Sequence, residues 1–494
     1  MSDQDIQKAA RHVSQNERLI FELSSPCKAA YQLPPLDVPL AEPAEALGPH
    51  YVRGELAGFP EVSEIDVVRH FTRLSTWNYG VDTGAYLLGS CTMKYNPKIN
   101  EVVARLDGLS NAHPCQPESL SQGCLRILRD LAKALVEIVG MDAITLQPAA
   151  GAHGEMTGLL LVRAFHERQG NPRKKVLIPD SAHGTNPASA AMSGLTVVVV
   201  KMDATGRVDL ADLRQKVSNR TAVLMLTNPN TLGLFETCIE DVARAVHDAG
   251  GLLYYDGANL NAILGRVRPG DMGFDMVHVN LHKTFSIPHG GGGPGAGPIG
   301  VKSHLAPYLP GPFLKREEGA WGWAEADRRS IGRYHGAFGN FLNLLKAWVY
   351  LRLLGDEGIR RVSLGAVLNA NYLQEKLRPM FPIPYGHGRC MHEFVASAIA
   401  LKDKFGVSAM DVAKRILDEG LYAPTVYFPL LVREALMIEP TETERRETLD
   451  RFVELMQTIL REAETNPQRL HDAPIRTPVR RVDDVRAARH PILK

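Results

Sequence analysis

A single lysine stands ahead of a run of glycines in "NLHKTFSIPHGGGGPGAGPIG", residues 280–300. Glycines beside a lysine are a common way to hold phosphate, but a nucleotide P-loop puts its lysine after the glycines and at a helix start. Lys283 precedes them and follows a short apolar run, so the order of a P-loop fails and the glycines read as a turn that lets backbone approach a ligand closely. Three other stretches carry matching chemistry. "QPAAGAHGE" (147–155) is a small-residue turn opening a helix, where the N–H groups of Gly151, Ala152 and His153 can face an anion. "DGAN" (256–259) sets Asp256 at a strand end, and "DSAHGTNPAS" (180–189) sets His183 just past another. Singly, each has an ordinary structural reading: a histidine in a core, an aspartate capping a helix, a glycine turn that only turns. Together, in this order, they are the parts pyridoxal phosphate requires: a lysine to bond its aldehyde, an acid against its pyridine nitrogen, an anion cradle and a flat side chain over the ring.

Those parts need a scaffold that brings strand ends together. From Met141 onward, apolar runs recur at 175–180, 195–203, 221–229, 251–259 and 275–280, with helix-like stretches such as 155–170 and 238–251 between them. This alternation predicts an α/β domain with a mainly parallel, buried sheet, whose ligand sits at the C-terminal strand ends. Asp180, Asn228, Asp256 and Asn280 each end or follow one of these runs. The large domain is expected over 76–345. A smaller α+β domain follows over 346–466, with a strand over 392–401, a helix over 408–420 and another over 441–464. The last is expected to open on a capping box, with Thr441 as cap and Glu444 reaching back. Its Leu449, Phe452, Val453, Met456, Ile459 and Leu460 recur at helical spacing and should face a core. Residues 1–75 read as an extended arm, and 24–50 as too rich in proline for a regular element. Residues 467–494 read as a basic tail.

Composition narrows the function. The chain has 494 residues, with Lys+Arg 56 against Asp+Glu 55, so no net field favours nucleic acid or an anionic membrane. No apolar run reaches membrane-spanning length, and the polar N-terminus lacks a secretory signal. Six scattered cysteines without a CxxC pair suggest free thiols in a cytoplasmic enzyme, and neither disulfides nor a zinc site.

The stretches "QPAAGAHGE", "SAHGTNPASA", "DGANLNA", "PGDMGFDMVHVNLHKTFSIPHGGGGPGAGPIGVKSHLAPYLP" and "GSCTMKYNP" resemble the glycine dehydrogenase (decarboxylating), or P-protein, family of the glycine cleavage system. "LNANYL", "HEFV", "YAPT" and "IEPTETE" carry the resemblance into the small domain. The chain resembles the C-terminal, cofactor-bearing half of the long form, and so subunit 2 of the split bacterial form. The resemblance implies the fold-type-I, aspartate aminotransferase-like fold and pyridoxal 5'-phosphate bonded to Lys283. Asp256 would pair with the pyridine nitrogen and His183 stack on the ring. Gly151, Ala152 and His153 fall on the phosphate turn, where only the backbone of His153 is carried over. Asn280 and His282 would add phosphate contacts, Asn259 would reach the ring hydroxyl, and Thr92 would line the glycine site. The implied reaction decarboxylates glycine and transfers the aminomethyl group to the lipoyl arm of the H-protein. The implied partner is subunit 1, with two copies of each subunit. Two rivals remain at this stage. A cysteine desulfurase-like enzyme would need a catalytic cysteine after the lysine, for which only Cys390 is available. A non-catalytic scaffold subunit would have no need of Lys283 and Asp256.

Overall fold

Strands rich in valine, leucine and isoleucine pair here into one seven-stranded sheet: β1 (Ala143–Thr145), β2 (Lys175–Pro179), β3 (Thr196–Val200), β4 (Thr221–Thr227), β5 (Leu252–Gly257), β6 (Met276–Val279) and β7 (Ile299–Val301). Their order is β1-β7-β6-β5-β4-β2-β3. From β3 through β6 all neighbours are parallel, while β7 is antiparallel to both β6 and β1. The structure is a computed structural model that describes residues 17–54, 58–291, 293, 295–477 and 479–492. Residues 84–474 form one compact unit, and the described residues before 84 and after 474 form another.

Along β4 and β5, successive side chains enter different cores. Leu224, Leu226, Leu253 and Tyr255 pack on one face of the sheet, and Val223, Met225, Leu252 and Tyr254 on the other. Both faces are therefore covered, which is why these strands read as continuous apolar runs rather than alternating ones. The helix Gly151–Arg168 follows β1 and Thr185–Met192 follows β2, so their N-termini meet at the C-terminal edge of the parallel strands.

A helical segment, Phe341–Leu377, joins this core to a second one. Its first turns bury Phe341, Leu344 and Ala347 against the large sheet, and its last bury Ala370, Leu373 and Leu377 in the smaller core. It breaks at Gly355, where φ is 61°, a conformation that glycine adopts without steric cost. The smaller core holds an antiparallel sheet of Phe394–Ser397, Ala435–Ile438 and Thr425–Val426. The region expected as one strand over 392–401 is thus a strand followed by a helix, Ile399–Phe405. Ser408 caps Ala409–Asp418 in a capping box with Asp411.

The capping box expected at Thr441 does not form. The helix runs Arg446–Thr465, with Arg445 as its cap. The Glu444 N–H donates to the Thr441 carbonyl at 3.3 Å and the Thr441 hydroxyl pairs with Thr443 at 2.7 Å, so 441–444 close as a turn, while Asn369 Nδ2 donates to the carbonyls of Thr441 and Glu444 at 2.9 and 3.0 Å. Its apolar stripe does face the core: Leu449, Phe452, Val453, Met456 and Ile459 are buried, and Leu460 packs partly buried beside them.

In the other unit, the proline-rich stretch carries a short helix after all, Pro43–Leu47, and the start of a 3-10 turn, Pro49–Tyr51, each with proline at the first position, where its missing N–H costs nothing. Glu64–Ser75 is a full helix closed by a Ser63–Asp66 capping box. Glu17 ties back to this helix, 3.0 Å from His70 Nδ1. Among the described residues, no helix is long and apolar enough to cross a membrane.

Candidate active site

The C-terminal ends of the parallel strands surround a cavity of about 190 Å³. Gly151, Ala152 and Glu155 reach it from the helix after β1, His183 and Thr185 from the segment after β2, and Thr227, Pro229 and Thr231 from the end of β4 and the turn beyond. Asp256, Ala258 and Asn259 come from the end of β5, and Asn280, His282 and Lys283 from the turn after β6. Ser90, His392 and Glu393 complete the wall from distant parts of the chain.

Lys283 Nζ donates to the Ser90 carbonyl at 2.6 Å. Asp256 is 3% exposed. Asn186 Nδ2 donates to its Oδ2 at 3.0 Å, the Ala258 N–H donates to its Oδ1 at 3.1 Å, and His278 Nε2 stands 3.5 Å from Oδ1. Burial alone pushes this carboxyl up, but His278, the Asn186 amide, the Ala258 N–H and Lys283 together outweigh it and hold it below the usual range, so it stays ionised. His183 is held at Nδ1 by Thr185 Oγ1, 3.0 Å away, and the Thr185 hydroxyl donates to Glu155 at 2.8 Å. Burial, then the charge of Lys283, lowers the pKa of His183. Burial likewise brings His282 and His392 to about 3 and His289 to about 4, so these imidazoles are neutral near pH 7.

Gly151, Ala152, Lys283, Asp256, His183, Asn259, Asn280 and His282 thus line one cavity. The His153 side chain turns elsewhere: its Nδ1 accepts from the Ala149 N–H at 3.0 Å, and its ring packs on Tyr334 at 4.4 Å. Thr92 is 1% exposed and is not among the lining residues. Its hydroxyl donates to Glu439 at 2.7 Å and accepts from Asn259 Nδ2 at 2.5 Å, so it supports Asn259 from behind. Of the other strand-end residues, Asn228 caps a turn by accepting from the Glu236 N–H at 2.8 Å, and Asp180 stays outside the wall. Ser90, Glu155, Thr185, Glu393 and Glu439 were not singled out from sequence. All five do lie inside quoted motifs: Ser90 in "GSCTMKYNP", Glu155 in "QPAAGAHGE", Thr185 in "SAHGTNPASA", Glu393 in "HEFV" and Glu439 in "IEPTETE".

The wall fits a polar ligand. Thr227 Oγ1, Asn280 Oδ1, His282 Nδ1 and His392 Nδ1 are buried without a hydrogen-bond partner, whereas buried polar atoms are ordinarily satisfied. The cradle is shaped by glycine: a Cβ on Gly151 would lie 2.6 Å from Asn280 Nδ2, and one on Gly297 2.1 Å from the Ala150 carbonyl oxygen. A lysine, a buried ionised aspartate and a helix N-terminus around one such space suit pyridoxal phosphate. The desulfurase reading lacks its nucleophile, because Cys390 is 2% exposed and burial pushes its thiol up to about 12.

Sheet and site together define a fold-type-I, pyridoxal phosphate-dependent enzyme. Residues 154–293 match the family described as Aminotransferase class-V, and residues 362–476 match Glycine dehydrogenase, C-terminal domain. The chain is 56% identical to the "Probable glycine dehydrogenase (decarboxylating) subunit 2" of Lysinibacillus sphaericus (strain C3-41), over 97% of this chain and 99% of that protein. It is also 56% identical to the protein of the same name from Listeria monocytogenes serotype 4b (strain F2365), over 96% of this chain and 97% of that one. A crystal structure of glycine decarboxylase (P-protein) of the glycine cleavage system, in inhibitor-bound form, shares the fold at a TM-score of 0.71 and 21% identity, covering 84% of this chain and 94% of that one. The chain belongs to the glycine dehydrogenase (decarboxylating) subunit 2 family.

Proposed function

We propose that this chain is the pyridoxal phosphate-bearing subunit of a two-part P-protein, which decarboxylates glycine and passes the remaining aminomethyl group to the lipoyl arm of the H-protein. The observation that carries this reading is Lys283 and an ionised, buried Asp256 lining one cavity in a chain of this family. When bound, pyridoxal phosphate supplies the electron sink for the bond that breaks as CO2 leaves.

The chain's own residues do the rest. Lys283 would hold the cofactor and give it up to the substrate amine. Asp256, kept ionised by His278, Asn186 and the Ala258 N–H, would hold a proton at the pyridine nitrogen. The Gly151, Ala152 and His153 N–H groups would receive the phosphate, with Asn280 and His282 adding contacts, and His183 would cover the ring. Asn259, its amide braced by Thr92 and Glu439, would serve the ring hydroxyl. Glycine has no side chain to recognise, so selection falls on contacts to its carboxylate and amine, and on a small buried space that excludes water.

The reading includes a partner, subunit 1, in an assembly with two copies of each chain. Support comes from the arm, where Leu33, Leu40 and Tyr51 are each more than 80% exposed, which is unusual for large apolar side chains crowded into one segment. A cytoplasmic location accords with the six unpaired cysteines.

Glycine-dependent exchange of labelled bicarbonate into the glycine carboxyl group tests the reaction, using this chain with subunit 1, lipoylated H-protein and pyridoxal phosphate. Exchange that needs all components is expected. No exchange, with alanine or cysteine turned over instead, would overturn the proposal.

A further inference from the structure

Two carboxylates lie where the small sheet meets the cavity, one in its wall and one beside it. Glu393 immediately precedes the strand Phe394–Ser397, and Glu439 immediately follows Ala435–Ile438. Phe394 pairs with Ile438 across these antiparallel strands, so register alone brings the two glutamates side by side. They are 3% and 1% exposed, and with His392 their polar atoms lie within 4.8 Å of one another. Two carboxylates this close and this dry do not both ionise.

Their surroundings are unequal. Glu439 accepts three hydrogen bonds, from the Thr92 N–H at 3.1 Å, the Thr92 hydroxyl at 2.7 Å and Asn259 Nδ2 at 2.7 Å. Such donors favour the charged form. Glu393 accepts one, from the Ser90 N–H at 2.8 Å on Oε2, and its Oε1 lies 3.6 Å from His392 Nε2. Among the described residues, the other titratable groups facing the pair are Lys283, Cys91, whose thiol burial keeps neutral, and His392, a neutral imidazole. Glu393 lines the cavity and Glu439 does not. Through Ser90 it is also tied to the cofactor lysine, since the Ser90 N–H holds Glu393 while the Ser90 carbonyl holds Lys283 Nζ.

We propose that Glu393 and Glu439 share one proton, that it resides on Glu393 Oε1, and that Glu393 is the general acid of the transfer half-reaction. The inference rests on the aminomethyl-transfer reading above. In that half-reaction the glycine α-carbon, having lost CO2, forms a bond to one sulfur of a disulfide. The S–S bond breaks and the second sulfur departs with the electron pair. The proton of Glu393 passes to that sulfur, leaving a thiol and a Glu393 carboxylate that regains a proton from water before the next turnover. The disulfide is the oxidant and the carbon is oxidised, so no further redox partner is needed. Ionised Glu439 is the positioning residue, because its charge keeps the proton on Glu393. Burial raises both carboxyls, but the Thr92 and Asn259 donors offset part of it at Glu439, whereas burial and then the Glu439 charge push Glu393 well above the usual range, so of the two Glu393 keeps the proton.

The test has two independent readouts on the assembled enzyme. Infrared spectra in H2O and D2O are expected to show a protonated-carboxyl band near neutral pH that disappears in Glu393→Gln. In Glu439→Gln the band should persist but titrate away at lower pH than in wild type. With free lipoamide as acceptor, Glu393→Gln should slow transfer about 100-fold, a usual contribution of a general acid. It should also lose the fall in rate that wild type shows as the pH rises through the pKa of Glu393. A band unchanged in Glu393→Gln, or wild-type transfer with its alkaline fall intact in that variant, overturns the proposal. If wild type itself transfers nothing to lipoamide or H-protein, the functional reading fails, while the infrared band still decides where the proton sits. Should Glu393→Gln fail to fold, the pH shift of the band in Glu439→Gln decides the matter alone.

Discussion

Asn186 Nδ2 donates to Asp256 Oδ2 at 3.0 Å, so the helix after β2 and the end of β5 are joined at the residue assigned to the pyridine nitrogen. This contact leaves Asp256 with a fixed orientation and a charge, and both bear on how its removal should be felt. Asp256→Asn is expected to retain cofactor but lose about 3 kcal/mol of transition-state stabilisation, as when a comparable preorganised electrostatic contact is removed. That is roughly a 100-fold fall in glycine-dependent bicarbonate exchange. Near wild-type exchange would release Asp256 from the role.

Lys283→Ala should abolish both the visible absorbance of bound cofactor and all exchange. Borohydride reduction of wild type followed by peptide mapping should place the pyridoxyl label on Lys283. A label on any other lysine would reassign the site.

Gly297→Ala tests the cradle. The new Cβ would lie 2.1 Å from the Ala150 carbonyl oxygen, a backbone atom at the start of the Gly151–Arg168 helix that cannot swing aside. The helix start must shift, and cofactor affinity should fall at least about tenfold, equivalent to about 1.4 kcal/mol. Equilibrium titration with pyridoxal phosphate measures it, and unchanged affinity would mean the phosphate lies elsewhere.

Asp275 offers a pH test away from the site. Its Oδ2 accepts from the Leu253 N–H at 2.7 Å and lies 2.9 Å from His247 Nε2, while His304 Nε2 stands 3.3 Å from Oδ1. Burial pushes the carboxyl up, but the two histidines and the N–H outweigh it and hold it at about 2, against an ordinary 3.8. The folded value is the lower one, so the stabilisation is present above the ordinary value and lost as pH falls toward the folded one. It amounts to about 2 kcal/mol. His247 is raised by the same contact, so its share is present below its ordinary value and fades as pH rises through the raised one. Asp275→Asn should therefore be less stable in urea at neutral pH, with the gap to wild type narrowing below about pH 4. A gap that stays constant on acidification would contradict the linkage.

The assembly reading predicts that Leu33→Asp with Leu40→Asp leaves the melting temperature of the isolated chain unchanged, because both side chains are exposed there. The pair should nonetheless weaken co-purification with subunit 1. Undiminished co-purification would move the interface away from the arm.

Much of this site was legible because its pieces are local. Lys283, Asp256 and the Gly151 turn each sit at the end of an apolar run, and a run plus its terminal polar residue is a short-range pattern. Glu393 and Glu439 were not legible as a pair, since only the register of the small sheet makes them neighbours. Thr92 was expected on the wall and stands behind it, because its backbone at φ 49° and the three-way contact with Asn259 and Glu439 turn its hydroxyl inward. The Thr441 cap gave way to a turn in which its hydroxyl pairs with Thr443 and its carbonyl accepts from the Glu444 N–H, and Asn369, distant in sequence, donates to the carbonyls of the same turn.

The bond between Thr92 and Glu439 spans 347 positions of chain. Its consequence is one of timing. While the protein is being synthesised, the large sheet and its lysine can emerge and fold long before Glu439 leaves the ribosome, since domains tend to fold as they appear. Until then Thr92 and Asn259 lack their acceptor, although every residue that lines the cavity has already been made. A chain truncated before the strand Ala435–Ile438 would keep every lining residue and yet leave the Asn259 amide unbraced, so the wall is fixed in place only late in translation.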